Sequence, residues 1–274
     1  MLLAFDTSSA AVTVAIADPV TGAVVASSTT VDALRHGELL APAIAAALAE
    51  AGCTARDLTR IAVGVGPGPF TGLRVGLVTA RTMADVLGIE VAGVCSLDIL
   101  AHQSELASPV AVATDARRKE IYWALYDGPA PNGTRRRLEG PAVDKPANVA
   151  HVLSGLPVIG RGAVLYADAL GIPASAGAPP ANAQAPNPTT PATGEGLGAS
   201  SPSAQSGAAA SATGDGLAGD SSSPSAQFVV EYPSAEVLAR GVALGTLEIV
   251  APDPLYLRRP DVTMSGGPKS VLTK

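Results

Sequence analysis

Apolar and polar positions alternate from the start of the chain. Leu2 to Phe5 is an apolar run, and Val12, Val14 and Ile16 alternate with Thr13 and Ala15, a period of two that predicts strands. Asp18-Pro19 and Thr21-Gly22 supply a turn into a further strand from Ala23 to Thr30. The period then lengthens. Over 34–51, Leu39, Leu40, Ala43, Ile44, Ala47 and Leu48 fall on one helical stripe that Gly52 stops, with Pro42 predicting a kink or a late start. Ile61 to Val65 reads as a short buried strand, followed by a glycine-rich loop from Gly66 to Gly72 and a second helix that ends near Leu87, before Gly88. Val91 to Val94 is a strand and Leu97 to Leu106 a helix. Alternation of this kind predicts a layered α/β sheet.

A second strand-rich unit follows. Pro109 to Thr114 and Glu120 to Tyr126 are strands joined by the turn Asp115-Ala116-Arg117-Arg118, and Pro157 to Ile159 leads through Gly160-Arg161-Gly162 into a helix. Phe228 to Val230 is a strand, and a last long helix runs from Ser234 or Glu236 to about Glu248. Residues 173–227 break the pattern. They contain no Lys, Arg or aromatic residue, and Thr193-Gly194-Glu195-Gly196-Leu197 recurs as Thr213-Gly214-Asp215-Gly216-Leu217. Such a segment cannot bury enough surface to offset chain entropy, so a disordered, duplicated insertion is expected. The expected domains are 1–107, then 108–172 with 228–260, with a flexible tail at 261–274.

Composition narrows the function. The net charge is −6, and a protein that bound nucleic acid unaided would show a basic field. Two basic clusters exist, Arg117-Arg118-Lys119 and Arg135-Arg136-Arg137, and both read as solvated turns. Any RNA would be held mostly by something else. No run of about 18 apolar residues is present, so no membrane span is expected. The N-terminus lacks a basic leader pattern, and Cys53 and Cys95 read as reduced thiols, which together point to the cytoplasm.

Two stretches could carry chemistry. Asp6, Thr7 and Ser8 end the first strand, either as an Asx turn or as a group facing a nucleotide phosphate or its metal. Gly64 to Gly76 leaves backbone N–H groups before a helix, but it lacks the Lys-Ser/Thr pair of a P-loop. Pro67 and Pro69 remove donors and suit a rigid corner better than a phosphate cradle. Within this set Asp6, Thr7, Ser8, Gly68, Thr71 and Gly72 are the candidate nucleotide- or anion-facing residues. His36, His102 and His151 are not at metal-ligand spacing with one another or with the cysteines, so no metal site is expected. No Gly-x-Ser-x-Gly elbow is present.

These strings together resemble the TsaB (YeaZ) family. The resemblance rests on Leu3-Ala4-Phe5-Asp6-Thr7-Ser8, on His36-Gly37-Glu38-Leu39-Leu40-Ala41-Pro42, on Gly64 to Gly76, and on Asp115-Ala116-Arg117-Arg118-Lys119-Glu120-Ile121-Tyr122. It covers about 1–172 and, more loosely, 228–260. It implies an α/β fold of the actin/hexokinase/Hsp70 (ASKHA) type with two related lobes. It also implies a catalytic paralogue, TsaD, whose paired-histidine metal motif would fall on 34–51; here His36 stands alone, with Leu40 four residues on. The implied role is a non-catalytic subunit that works with TsaD and the ATPase TsaE to place threonylcarbamoyl on adenosine 37 of tRNAs reading codons that begin with A. The tRNA would be met only through the complex, a homodimer is an option for the chain alone, and the chain would have no cofactor of its own, with ATP or ADP at the complex interface. The alternative is a stand-alone ATP-dependent enzyme or glycoprotease-like peptidase of the same fold. The two apolar helix stripes either cover their own sheet or dock a partner, and the resemblance favours docking through Leu39, Ala43, Ala47, Leu73, Leu77, Ala80 and Ala84.

Overall fold

The computed structural model describes residues 1–172 and 230–258, which belong to one compact unit. The expected insertion at 173–227, the tail at 261–274, and Phe228 and Val229 lie outside the described residues.

Two sheets organise the chain. The first contains β1 (Leu2–Asp6), β2 (Ala11–Ala17), β3 (Val24–Val31), β4 (Arg60–Gly64) and β5 (Glu90–Val94), in the order β3-β2-β1-β4-β5. β1, β2 and β3 form an antiparallel meander, while β4 and β5 add in parallel. Parallel neighbours need a crossover, and α1 (His36–Glu50) and α2 (Phe70–Leu87) provide it. The second sheet contains β6 (Val110–Asp115), β7 (Ile121–Tyr126), β8 (Arg137–Asp144) and β9 (Val158–Ile159), in the order β8-β7-β6-β9. It repeats the first sheet's plan: an antiparallel meander, a helix, here α4 (Pro146–Leu153), and a parallel strand beside the first. The expectation of two related α/β halves is met at the level of topology.

The period-two alternation decides which layer each strand residue joins. Leu3, Phe5, Val14 and Ile16 pack with Leu40, Ile44, Leu77 and Ala80 of α1 and α2. On the opposite face, Leu2, Ala4, Ala62 and Ala92 meet α7 (Ala235–Leu244) through Leu238 and Val242. α3 (Ser96–Gln103) lies between the sheets: Ile99 joins this second layer, while Leu97 and Leu100 pack on Val110, Val112 and Tyr126 of the second sheet. The outer face of that sheet, Ala113, Ile121 and Trp123, is covered by Val149 and Leu153 of α4 and by Leu170 of α6 (Ala167–Leu170), a short helix after α5 (Arg161–Leu165).

Several elements differ from expectation. The last helix stops at Leu244, because Gly245 takes a left-handed cap that leaves Leu247 free to fold back into the core. β8 and α4 carry weak sequence signals. β8 is an edge strand, so Gly140-Pro141 costs it no inner ladder bond. The cluster at 135–137 is not a solvated turn throughout. Arg135 is buried and its guanidinium donates to the carbonyls of Ser104, Leu106, Ser108 and Asp127, stitching the end of α3 to the β7–β8 connection. Arg137 pairs with the buried Asp98 at 2.8 Å.

Candidate functional site

The end of β1 and the loop before α2 form one interlocked knot. Asp6 is buried to 1% exposure. Its Oδ1 accepts from the Ser8 backbone N–H at 2.8 Å and from Ser8 Oγ at 2.7 Å, and its Oδ2 accepts from Ser96 Oγ at 2.5 Å. Ser96 Oγ in turn accepts from the Gly66 N–H. Burial raises the Asp6 carboxyl above its usual range, and the hydrogen bonds from Ser96 and Ser8 only partly offset this. Thr7 Oγ1 donates to the Gly72 carbonyl at 2.8 Å, and His36 Nε2 donates to the Ser9 carbonyl at 2.8 Å.

The glycines of 64–76 follow from this packing. A methyl at Gly64 would overlap the Asp6 carboxylate and one at Gly68 the Ser8 carbonyl. Another at Gly72 would strike the Thr7 carbonyl, and at Gly76 it would lie 2.5 Å from Thr7 Oγ1. The string is therefore a seat for residues 6–9, built so that two backbones touch. The rigid-corner reading of Pro67 and Pro69 agrees with this geometry. Of the candidate anion-facing residues, Asp6, Thr7, Ser8, Gly68 and Gly72 are buried against one another, and Thr71 alone is exposed. The fold does bring these residues together, but the side chains of Asp6, Thr7 and Ser8 find their partners within the knot, and the Gly68 carbonyl accepts from Tyr122 Oη at 3.4 Å.

The candidate docking residues divide. Leu39 and Ala43 are half-buried, whereas Ala47, Leu73, Leu77, Ala80 and Ala84 are 5% exposed or less and lie in the chain's own core. Those five have no surface left for a partner, which corrects the docking expectation for them: the apolar stripe of each helix turns toward the sheet, as an amphipathic face does. The outward face of the pair consists of other residues. Ala41 and Ala45 on α1 are exposed, as are Val78 at 60% and Val86 at 79% on α2, with Val75 half-buried between the helices.

A cleft of about 280 Å³ opens beside the knot. Ser9, Pro67, Asp115, Arg117, Arg161 and Glu231 contribute to its wall. Its charges are paired: Arg161 lies 2.7 Å from Glu231, and Arg117 3.9 Å from Asp115, which also accepts from Tyr166 at 3.2 Å. Among the described residues no three His, Cys, Asp or Glu side chains sit close enough to hold a metal. His102 is tied through Nδ1 to the Asp98 carbonyl and through Nε2 to that of Thr246. Burial pushes the Cys95 thiol up to about 12, so it is not a nucleophile at neutral pH. No described helix is long and apolar enough to cross a membrane.

Comparison with known proteins decides the family. The family model of the tRNA N6-adenosine threonylcarbamoyltransferase TsaD matches residues 24–174, more than half of the chain. The solved structure of YeaZ from Pseudomonas aeruginosa superposes with a TM-score of 0.53 at 32% identity, over 61% of this chain and 78% of that one. The chain belongs to the TsaB (YeaZ) family. The fold is accordingly the ASKHA type, and the repeated strand order agrees with it. The TsaB of Bacillus subtilis, a tRNA threonylcarbamoyladenosine biosynthesis protein, is 36% identical over 46% of this chain and 54% of its own length. An uncharacterized protein of Mycobacterium tuberculosis is 46% identical over 54% of this chain. The matched region thus spans 66% of the mycobacterial relative and about half of the Bacillus TsaB.

Proposed function

We propose that the chain is a non-catalytic subunit in the formation of threonylcarbamoyladenosine in tRNA. It pairs through the outward face of α1 and α2 with a catalytic paralogue of the TsaD kind, with an ATPase of the TsaE kind completing the assembly. The observation that carries this reading is the closed knot at residues 6–9. The Asp6, Thr7 and Ser8 side chains, polar groups that could otherwise face a nucleotide phosphate or its metal, are spent on Ser96, Gly72 and one another. The relatives named for threonylcarbamoyladenosine biosynthesis support the pathway. A nucleotide used by the assembly would then lie where subunits meet.

The face itself supports a helix-to-helix contact. Ala41 and Ala45 let a second backbone approach closely, and Val78 and Val86 are apolar side chains standing in water in the free chain. Paired with the paralogue, two helices from each subunit would form a four-helix contact. In the absence of the paralogue the same face offers self-pairing.

The test is co-elution of the full chain with the paralogue on gel filtration. Val78→Arg places a charge on the exposed side of α2, so the monomer should fold with its melting temperature nearly unchanged. In a complex that charge would be buried without a partner, and affinity should fall by two orders of magnitude or more, roughly 3 kcal/mol. Unchanged binding by a folded Val78→Arg chain would remove this face from the proposal.

A further inference from the structure

We propose that the free edge of β3 is a self-pairing surface, where a second copy of this chain adds its own β3 antiparallel about a two-fold axis at Thr29. The inference rests on backbone geometry and does not depend on the tRNA reading. A sheet edge is a row of unpaired N–H and C=O groups that folded chains cover or blunt. Three of the four edges here follow that rule. β5 is covered where Gly93 and Val250 exchange backbone bonds of 3.1 and 2.8 Å. Just past β9, the Gly160 N–H donates to the Val230 carbonyl and the Arg161 N–H to that of Glu231. β8 carries Gly140-Pro141, two register shifts and the exposed charges of Glu139 and Asp144.

β3 has no such guard beyond a bulge at Val25. From Ala26 to Val31 it stays in register with β2, without a charge, a Gly or a Pro, and only Ala26 is buried. One bond tells which way its backbone groups point. The Asp32 N–H donates to the Ala10 carbonyl, toward the β2 side. Antiparallel residues alternate, so Thr30, Ser28 and Ala26 also bond inward, while Ser27, Thr29 and Val31 turn N–H and C=O outward. Among the described residues these outward groups have no hydrogen-bond partner.

That edge fits its own copy. With Thr29 on the axis, Thr29 faces its counterpart, Ser27 faces Val31 and Ser28 faces Thr30. Each facing pair among the outward residues can exchange two backbone bonds, and hydroxyl and β-branched side chains suit such pairs. The charges nearby are Asp32, held by Arg35, Glu236, which accepts from Ser27, and Arg240 beside Gly22. The rotation separates Ser27 from its copy by four residues along the strands, so the two Glu236 carboxylates stay roughly 13 Å apart, beyond the screening length. Exposed apolar side chains mark both ends of the stretch. Val25 is at one end, and Val31, 57% exposed, and Leu34, 92% exposed, are at the other. A two-fold contact sets each end against the opposite end of the copy, so these side chains leave water together. The contact uses the edge of the sheet and leaves the outward face of α1 and α2 open.

The experiment is sedimentation velocity of the full chain carrying Val78→Arg, which removes pairing through the helices. Over about 5 to 500 μM a reversible dimer is expected, of the weak kind that a small interface gives. Thr29→Lys and Thr29→Glu, each added to that background, place a charge on an exposed residue that meets its own copy at the axis. Each variant alone should keep its melting temperature and associate at least tenfold more weakly. Mixed in equal amounts, the two should pair again, Lys against Glu. Three results overturn the proposal: a monomer throughout the range before Thr29 is changed, undiminished self-association of either charged variant, or a mixture that stays monomeric. Failure to co-elute with the paralogue would instead strike the assembly reading, so the two failures are distinguishable.

Discussion

Gly68→Ala should destabilise the chain by more than about 3 kcal/mol and lower its melting temperature by roughly 10 °C. The added methyl would enter the Ser8 carbonyl, and backbone, unlike the end of a flexible side chain, has no rotamer by which to withdraw. Ser8 is itself fixed twice to Asp6, and Asp6 to Ser96, so a shift at Ser8 breaks a buried network rather than one bond. The Asp6 carboxyl would then be buried without its donors, which is costly in either protonation state. Gly52→Ala is the comparison. Gly52 has φ +63° with open space around its Cα, so an alanine there meets strain alone, about 1–2 kcal/mol. Denaturant unfolding of both variants separates the effects. If Gly68→Ala costs no more than Gly52→Ala, the close seat of residues 6–9 on the glycine loop is not real.

Ala80→Arg should prevent stable folding, a loss of about 4 kcal/mol or more. Ala80 is fully buried between α2 and the first sheet, among Phe5, Val63 and Leu77. A guanidinium there has no carboxylate among those neighbours and no path to water. The expected result is insoluble or molten protein, whether or not a paralogue is present. A soluble, cooperative Ala80→Arg chain that had merely lost its partner would contradict the burial of this residue and return Ala80 to the interface.

Ala80 also shows where sequence pattern stops being informative. Leu73, Leu77, Ala80 and Ala84 repeat at helical spacing, and that spacing identifies a helix with one apolar face. It does not distinguish a sheet from a partner as the neighbour of that face, because both are apolar. The outward residues Val78 and Val86 fall off the stripe, so periodicity gives them no weight. In a chain where alanine stands for much of the apolar content, Ala41 and Ala45 on the outside look the same as Ala47 on the inside. The strands of both sheets are legible where their alternation is long and clean, as in Val12 to Ile16. β8 is not, since a Gly-Pro in its middle signals a turn unless its edge position is known.

The site is half legible. Asp6-Thr7-Ser8 and the string Gly64–Gly76 stand out by residue type. That each exists for the other depends on pairings far apart in the chain, such as Thr7 with Gly72, 65 residues on. Ser96, which completes the Asp6 network, carries no signal of its own; it follows a cysteine at the start of an ordinary helix. Arg135 is hidden for the opposite reason. Three adjacent arginines look solvated, and nothing local marks the one that turns inward to four carbonyls.

The proposed role predicts that the chain is required for threonylcarbamoyl transfer yet performs no chemistry itself. The direct measurement is nucleoside mass spectrometry of a tRNA transcript incubated with threonylcarbamoyl-adenylate, ATP, this chain, the catalytic paralogue and the ATPase, with each protein omitted in turn. Modified adenosine is predicted only when the chain and its paralogue are both present, and none when the chain is the sole protein. Product formed by the chain alone, or an undiminished yield when it is left out, would contradict that role.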